Sequence, residues 1–134
     1  MATLKPPTGE DYARAAELRE ALRRFHRSSD DITAANGLTS RTYLLLLMIK
    51  TARSGDGRAS LGELEERLLL GKSTITELVL RTEKRGLVRR ELDRDRPGAI
   101  SVRLTAAGQR RLGKVIAELG DERERLLRFL AELR

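Results

Sequence analysis

Apolar residues recur every three or four positions along most of the chain, the spacing that places them on one face of a helix. The first such stretch predicts a helix from Glu10 to about Ile32, which ends before an Asn-Gly turn. A second helix, capped by Thr39 or Ser40, has apolar residues around most of its circumference and is predicted to be the central core helix. The apolar seam of the first helix consists of Ala15, Leu18, Leu22, Phe25 and Ile32.

Two further helices are predicted in the middle of the chain. Ser60, with Glu63 three residues later, is typical of a capping box and marks the start of a third helix. A fourth helix is predicted from about Lys72 to Arg85, with Gly86 as a left-handed C-terminal cap. These two helices and the short connection between them are typical of a helix-turn-helix.

The period of the pattern then changes from helical to alternating. Residues 87–92 and 99–104 predict two strands, joined by an Asp/Arg-rich hairpin tip at 93–98. Thr105 is predicted to cap a long final helix, which is interrupted at Gly120. The fold class predicted from this order of elements is mainly α with a small two- to three-stranded antiparallel wing, a winged helix-turn-helix in one domain.

Charge and composition restrict the function. The formal net charge is +7, and residues 72–103 contribute nine basic and five acidic side chains, a net of +4. This excess is typical of a nucleic-acid interface, although a solvated basic surface has the same composition. The chain has no cysteine and one histidine, His26, so we expect no metal site, no cofactor and no catalytic residues. No apolar run spans a bilayer and no signal peptide is evident, which predicts a cytoplasmic protein.

The fourth helix has two distinct faces when its residues are placed at about 100° intervals. The residues predicted to face the core are Ile75, Leu78, Val79 and Thr82. Those predicted to face outward are Ser73, Thr76, Glu77, Leu80 and Lys84, with Thr74 and Arg81 on a flank. The second helix of a helix-turn-helix enters the major groove of DNA, and short hydroxyl and charged side chains suit that position.

With these features the chain resembles the MarR (multiple antibiotic resistance regulator) family of winged helix-turn-helix transcriptional regulators. The order and spacing of several short pieces carry the resemblance, and with the flanking helices it covers nearly the whole chain. The pieces are the run 73–76, Leu78-Val79, Glu83, the run 86–88, the Asp/Arg-rich wing and the run 104–108.

The resemblance implies a homodimer that binds double-stranded DNA at an imperfect palindrome. Within one unit of residues 1–134, it implies a DNA-binding lobe at 39–104 and dimerisation helices at 10–35 and 106–134. It further implies a repressor that a small-molecule effector could release from DNA; Tyr43, Arg41 and His26 could border such a ligand. The dimer-interface residues implied are Tyr12, Ala15, Leu18, Leu22, Leu126 and Leu130.

DNA-contacting residues also follow from the resemblance. In the wing, Arg94 or Arg96 occupies the position from which an arginine enters the minor groove, and the choice between them stays open. Ser60 is implied as an additional phosphate contact. The recognition-helix residues implied are Lys72, Ser73, Thr74, Thr76, Glu77 and Arg81.

Some side chains have two interpretations, or differ from the family pattern. Leu69 stands where the turn usually has glycine, and Gly71 where a Ser or Thr usually caps the recognition helix. Leu80 replaces a polar residue and could contact a thymine methyl or pack on the wing; packing is favoured. Glu77 could accept a hydrogen bond from cytosine or hold Arg81, and the second is favoured.

Further expectations concern the aspartates of the wing and the functions other than DNA binding. Asp93 and Asp95 alternate with arginines and are expected to pair with them, which would order the hairpin. An enzyme is disfavoured because the chain has few catalytic side chains. The main alternative is a winged-helix protein–protein interaction module without specific DNA binding, because fold alone does not determine function.

Overall fold

The computed structural model describes residues 3–133, which form six α-helices and one three-stranded sheet. The predicted fold class is confirmed. In chain order the elements are α1 (Gly9–Ala35), α2 (Ser40–Lys50), β1 (Ala59–Ser60), α3 (Leu61–Leu68), α4 (Lys72–Lys84), β2 (Val88–Leu92), β3 (Ile100–Leu104), α5 (Ala106–Glu118) and α6 (Gly120–Glu132).

The sheet is antiparallel with the strand order β1-β3-β2. The β2–β3 hairpin is the wing, and its register places Arg90 opposite Val102. On the other side of β3, the two-residue strand β1 pairs Ala59 with Val102 and Ser60 with Ser101. The base of the wing is therefore joined to the start of α3, which leaves only the hairpin tip projecting.

The core is built around α2, as predicted from its apolar circumference. Leu45, Leu46 and Ile49 are fully buried between α1, α3 and α5. Each such side chain contributes about 1.5–3 kcal/mol by burial. Among residues 3–133, no helix has the combined length and hydropathy needed to cross a membrane.

Side-chain caps set the ends of several helices. Thr8 starts α1 with a capping box, since its hydroxyl accepts from the Asp11 N–H while its own N–H donates to the Asp11 carboxylate. Thr39 caps α2, and Ser40 instead donates to Asp30 of α1. Gly86 has φ of +78° after α4, which confirms the predicted left-handed cap.

The predicted capping box at α3 is wrong in one half. The Ser60 hydroxyl accepts from the Glu63 N–H at 3.0 Å, as expected. The Glu63 carboxylate, however, accepts from the Arg53 N–H at 3.0 Å and pairs with Arg67 at 3.0 Å. Arg67 also donates to the Met48 carbonyl at 2.9 Å, near the C-terminal end of α2. Glu63 therefore helps to join α3 to α2.

Leu69 ends α3 in the left-handed conformation, with φ of 56° and ψ of 41°. Among residues 3–133 it is the one non-glycine residue with positive φ, and its side chain is 88% exposed. This conformation costs an L-residue roughly 1–2 kcal/mol. The leucine found where glycine is usual therefore keeps the turn's backbone geometry at a cost in stability.

Leu69→Gly is expected to stabilise the protein by roughly 0.5–1 kcal/mol, because relief of the left-handed strain exceeds the added entropy of the unfolded chain. The midpoint of thermal unfolding should rise by about 2–4 °C. Leu69→Ala is the matched control, since it removes the same exposed side chain but retains the Cβ atom that causes the strain. Equal midpoints for the two variants would contradict this account.

Candidate nucleic-acid interface

The recognition helix, α4, has the two faces predicted for it. Ile75, Leu78, Val79 and Thr82 are all at least 98% buried against the core. The buried Thr82 hydroxyl donates to the Leu78 carbonyl at 2.7 Å, so no polar group is left unpaired there. Because this side of α4 is fixed by packing, its opposite side is held in a definite orientation toward solvent.

The outward side of α4 forms one shallow surface that we call the α4 face. Five side chains line it: Lys72, Ser73, Thr76, Glu77 and Leu80. Leu80 is 43% exposed, and no wing residue contributes to this surface. Both interpretations of Leu80 given above, packing on the wing and contact with a thymine methyl group, stay predictions. Thr74 is half-buried and Arg81 is exposed on the flank of the same helix.

The start of α4 has no side-chain cap. Gly71 has N-cap geometry, with φ of −71° and ψ of 163°, but supplies no hydroxyl to the first turn. The N–H groups of that turn have no partner within the helix, so a ligand or water can reach them. The glycine found at the usual Ser/Thr position thus leaves the α4 terminus open beside Lys72 and Ser73.

The wing tip and the start of α3 border a second surface, a cleft of about 570 Å³. Arg94 and Arg96 line it together with Ser60, so the structure brings these three predicted residues to one place. Arg58 also lines the cleft, and sequence reasoning missed it. Its position just before the short β1 strand gave no periodic signal.

The hairpin tip is ordered differently from the expectation. The Asp93 carboxylate accepts a hydrogen bond from the Asp95 N–H at 2.9 Å, and the Asp93 N–H donates to the Ala99 carbonyl at 2.9 Å. Within residues 3–133, neither Asp93 nor Asp95 forms an ion pair with an arginine. Asp93 therefore orders the turn through backbone groups, and Arg94 and Arg96 stay exposed.

Glu83 ties the wing to the recognition helix. Its carboxylate accepts from the Arg90 N–H at 3.0 Å and from Arg90 Nε at 2.9 Å. The Arg90 backbone hydrogen bond, with its side chain in support, holds the pKa of Glu83 below its ordinary value. At the same corner, the Thr105 hydroxyl donates to the Gly86 carbonyl at 2.6 Å. The helix and the hairpin are thus braced by direct hydrogen bonds.

A second acidic residue neutralises arginines at the base of the wing. Glu91 on β2 pairs with Arg103 at 3.4 Å and with Arg58 at 3.5 Å, and its side chain is 27% exposed. Together with Glu83, it accounts for two of the five carboxylates in residues 72–103. These ion pairs are structural. They neutralise charges on and beside the strands of the wing and leave those at its tip unpaired among residues 3–133.

Several cations of this segment stay unpaired. The expected pair of Glu77 with Arg81 is absent within the described residues, so that interpretation of Glu77 is wrong. Glu77 instead lies on the α4 face. The basic side chains of residues 72–103 that are exposed and form no ion pair within the described part of the chain are Lys72, Arg81, Lys84, Arg85, Arg89, Arg94 and Arg96.

The residues expected at a dimer interface lie on α1 and α6, which pack on each other. Tyr12 is 65% exposed and Leu130 is 39% exposed, and Ala15 is also exposed. Leu18 and Leu22 on α1 and Leu126 on α6 are half-buried.

The residues considered for an effector site differ in burial. Tyr43 is buried in the core, and burial raises the pKa of its hydroxyl, opposed in part by the charge of Arg123. Arg41 and His26 are exposed, and the His26 ring lies 6.2 Å from the Phe25 ring. A separate groove of about 260 Å³ runs between α1 and α6 and is lined in part by Phe25.

Comparison with known proteins places these features in context. A model of the MarR family matches residues 36–96, which include α2 to α4, strand β2 and part of the hairpin tip. No curated protein is similar enough in sequence to count as a match. The fold resembles AbsC, a MarR family transcriptional regulator from Streptomyces coelicolor, with 21% identity, a TM-score of 0.78, and coverage of 97% of this chain and 90% of AbsC.

Two other solved structures extend the comparison. A MarR family protein from Bacillus stearothermophilus is 26% identical, with a TM-score of 0.69 and coverage of 94% of this chain and 81% of that one. A mutant MarR from E. coli complexed with operator DNA is 17% identical, with a TM-score of 0.69 and coverage of 91% and 85%. The chain is thus similar in sequence to the MarR family over residues 36–96, and its fold resembles that of MarR family structures along nearly its whole length.

Proposed function

We propose that this protein is a transcriptional regulator that binds double-stranded DNA sequence-specifically, as a homodimer on a pseudo-palindromic operator. The observation that carries the proposal is the open α4 face beside a wing whose tip arginines, Arg94 and Arg96, have no acidic partner among residues 3–133. A buried or paired set of cations would have indicated a structural role. The solved complex of the E. coli MarR mutant with operator DNA supports the proposal through the shared fold.

Each predicted residue has a role in this proposal. Ser73, Thr76 and Glu77 on the α4 face are proposed to contact base edges in the major groove. Lys72, beside the uncapped N-terminus of α4, is proposed to bind a phosphate, with Thr74 and Arg81 at the groove wall. The residues proposed to contact the backbone or minor groove from the wing cleft are Ser60, Arg94 and Arg96.

The homodimer is proposed because part of the apolar side of α6 stays exposed, although α6 packs on α1. None of its described residues is buried, although its apolar residues recur at helical spacing. Leu127 is 53% exposed and Leu130 is 39% exposed. A second copy that packs on this side, with contributions from Tyr12, Ala15, Leu18, Leu22 and Leu126, would remove the exposed apolar surface from water.

Leu127→Arg combined with Leu130→Arg is expected to convert the dimer to a folded monomer at micromolar concentration, because two charges would be buried in the interface. Sedimentation velocity measures the change. Glu124→Arg is the matched control: it adds the same +2 of charge at an exposed position on the polar side of α6 and should leave the dimer intact. An unaltered dimer in the leucine variant would refute this interface.

Regulation by this protein is proposed to be repression in the cytoplasm, relieved by a small-molecule effector. An operator-bound dimer excludes other proteins from the same DNA. An effector that binds only the DNA-free form shifts the population from the DNA-bound to the DNA-free form. The size of the shift is set by the difference between the affinities of the effector for the two forms.

Selection of bound sequences from random duplex DNA tests the proposal. A two-fold dimer should enrich two inverted half-sites whose centres are about 10 base pairs apart, or a multiple of that distance. The binding constant for the enriched duplex should exceed that for a scrambled duplex by about a thousandfold or more at the same salt concentration. Failure to enrich any sequence would favour a winged-helix module that binds protein.

A further inference from the structure

An apolar side chain lies at the middle of the α4 face, where the other residues are polar. At about 100° per residue, Leu80 lies between Thr76 and Glu77 in angular position and roughly opposite the buried side of the helix. Its side chain is 43% exposed, and the four residues that line the face with it are Lys72, Ser73, Thr76 and Glu77. The exposed part of this side chain is therefore free to contact whatever binds to the α4 face.

The chemistry of the major groove limits that partner, given the DNA-binding function proposed above. Base edges present hydrogen-bond donors and acceptors, and the C5 methyl group of thymine is the apolar group among them. A leucine pressed against a donor or acceptor would remove its water without replacing the hydrogen bond, which is unfavourable. Against a methyl group, both surfaces gain by leaving water.

We infer that Leu80 is a specificity-determining residue that selects a thymine in each half-site by contact with its C5 methyl group. Leu80 lies four residues beyond Thr76, about 6 Å along the helix axis. One helical turn thus separates the two side chains, so the selected thymine should lie within about two base pairs of the position that Thr76 contacts. This inference rests on the proposed DNA binding and adds the base that this helix selects.

The test uses the duplex enriched by selection, in which each thymine of one half-site is replaced in turn by deoxyuridine. This change deletes one methyl group and keeps every hydrogen-bonding group of the base. At one position the full-length protein should bind about fourfold more weakly, the value of one methyl-sized apolar contact. In Leu80→Ala the same replacement should have almost no effect.

Leu44→Ala is the matched control, because Leu44 is an exposed leucine of similar accessibility, 39%, on α2. It should retain the full sensitivity to deoxyuridine. An equal reduction in the wild type and in Leu80→Ala, or no reduction at any thymine, overturns the inference while DNA binding stands. Absence of any enriched duplex overturns the proposed function itself, so the two failures are distinct.

Discussion

Gly108→Ala is expected to lower the free energy of unfolding by about 3 kcal/mol. A Cβ atom at Gly108 would lie 2.1 Å from the Leu87 carbonyl oxygen and 3.0 Å from its carbon. Both contacts are to backbone, so either α5 or the segment just before β2 must move. That oxygen also accepts from the Thr105 N–H at 3.1 Å, and the movement would lengthen this bond. The thermal midpoint should fall by about 10 °C.

Gly113→Ala on the same helix provides the control. No atom lies within 4 Å of the Cβ position at Gly113, and the residue is exposed. Alanine should therefore stabilise the helix by about 1 kcal/mol, the usual advantage over glycine in a helix interior. Calorimetry that shows both substitutions stabilising the protein would mean that Gly108 does not make the close approach described above.

The close approach of Gly108 to Leu87 gives a physical reason for the glycine at this position, which the sequence alone did not reveal. The run 104–108 contributed to the resemblance, but neither its hydropathy nor its helix propensity reveals that a backbone oxygen lies against the glycine. That oxygen belongs to Leu87, which is distant in sequence. Short-range patterns fix where α5 begins, through Thr105, whereas the reason for glycine at 108 lies in the tertiary fold.

Short-range sequence patterns correctly predicted the features of the fold that depend on short-range interactions. The period of α4 predicted which four residues are buried, because each turn of a helix repeats the same orientation toward the core. The left-handed cap at Gly86 followed from the conformational freedom of glycine. The outward set of α4 residues likewise follows from the helix period, which is why Ser73, Thr76 and Glu77 lie on one surface.

The ion-pair and hydrogen-bond partners of charged side chains were less predictable from the sequence than the positions of those side chains. Glu63 was expected to cap its own helix, yet Arg53 and Arg67 are the donors that its carboxylate meets in the fold. Glu77 and Asp93 were likewise expected to pair with arginines nearby in sequence. A long charged side chain can reach several partners of similar energy, so tertiary neighbours decide among them. Exposed carboxylates are therefore the least predictable part of the candidate site.

The proposed role of Arg94 and Arg96 depends on how the acidic residues around the wing are paired. Glu83 and Glu91 neutralise arginines at the base of the wing, and Asp93 is engaged by the turn backbone. The tip therefore presents Arg94 and Arg96 with no acidic partner among residues 3–133. The pair of hydrogen bonds between Glu83 and Arg90 also limits motion of the wing relative to α4.

Replacing Arg94 and Arg96 together with alanine is expected to weaken binding to the selected operator by about tenfold or more at physiological salt. The plot of log K against log salt concentration should become shallower by about one for each phosphate that the variant no longer neutralises. Fluorescence anisotropy over a salt series measures both quantities. Folding should be unaffected because both side chains are exposed and form no ion pair within the described residues.

Arg23→Ala with Arg27→Ala is the control, because it removes the same two charges from exposed positions of α1. If net charge alone drives binding, both double variants will lose equal affinity, and the wing has no special role. The single variants Arg94→Ala and Arg96→Ala then identify which of the two arginines enters the minor groove. An arginine inserted there depends on a narrow A·T-rich groove, so its removal should abolish the preference for A·T over G·C pairs beneath the wing. Removal of a phosphate-binding arginine should weaken binding to every sequence equally.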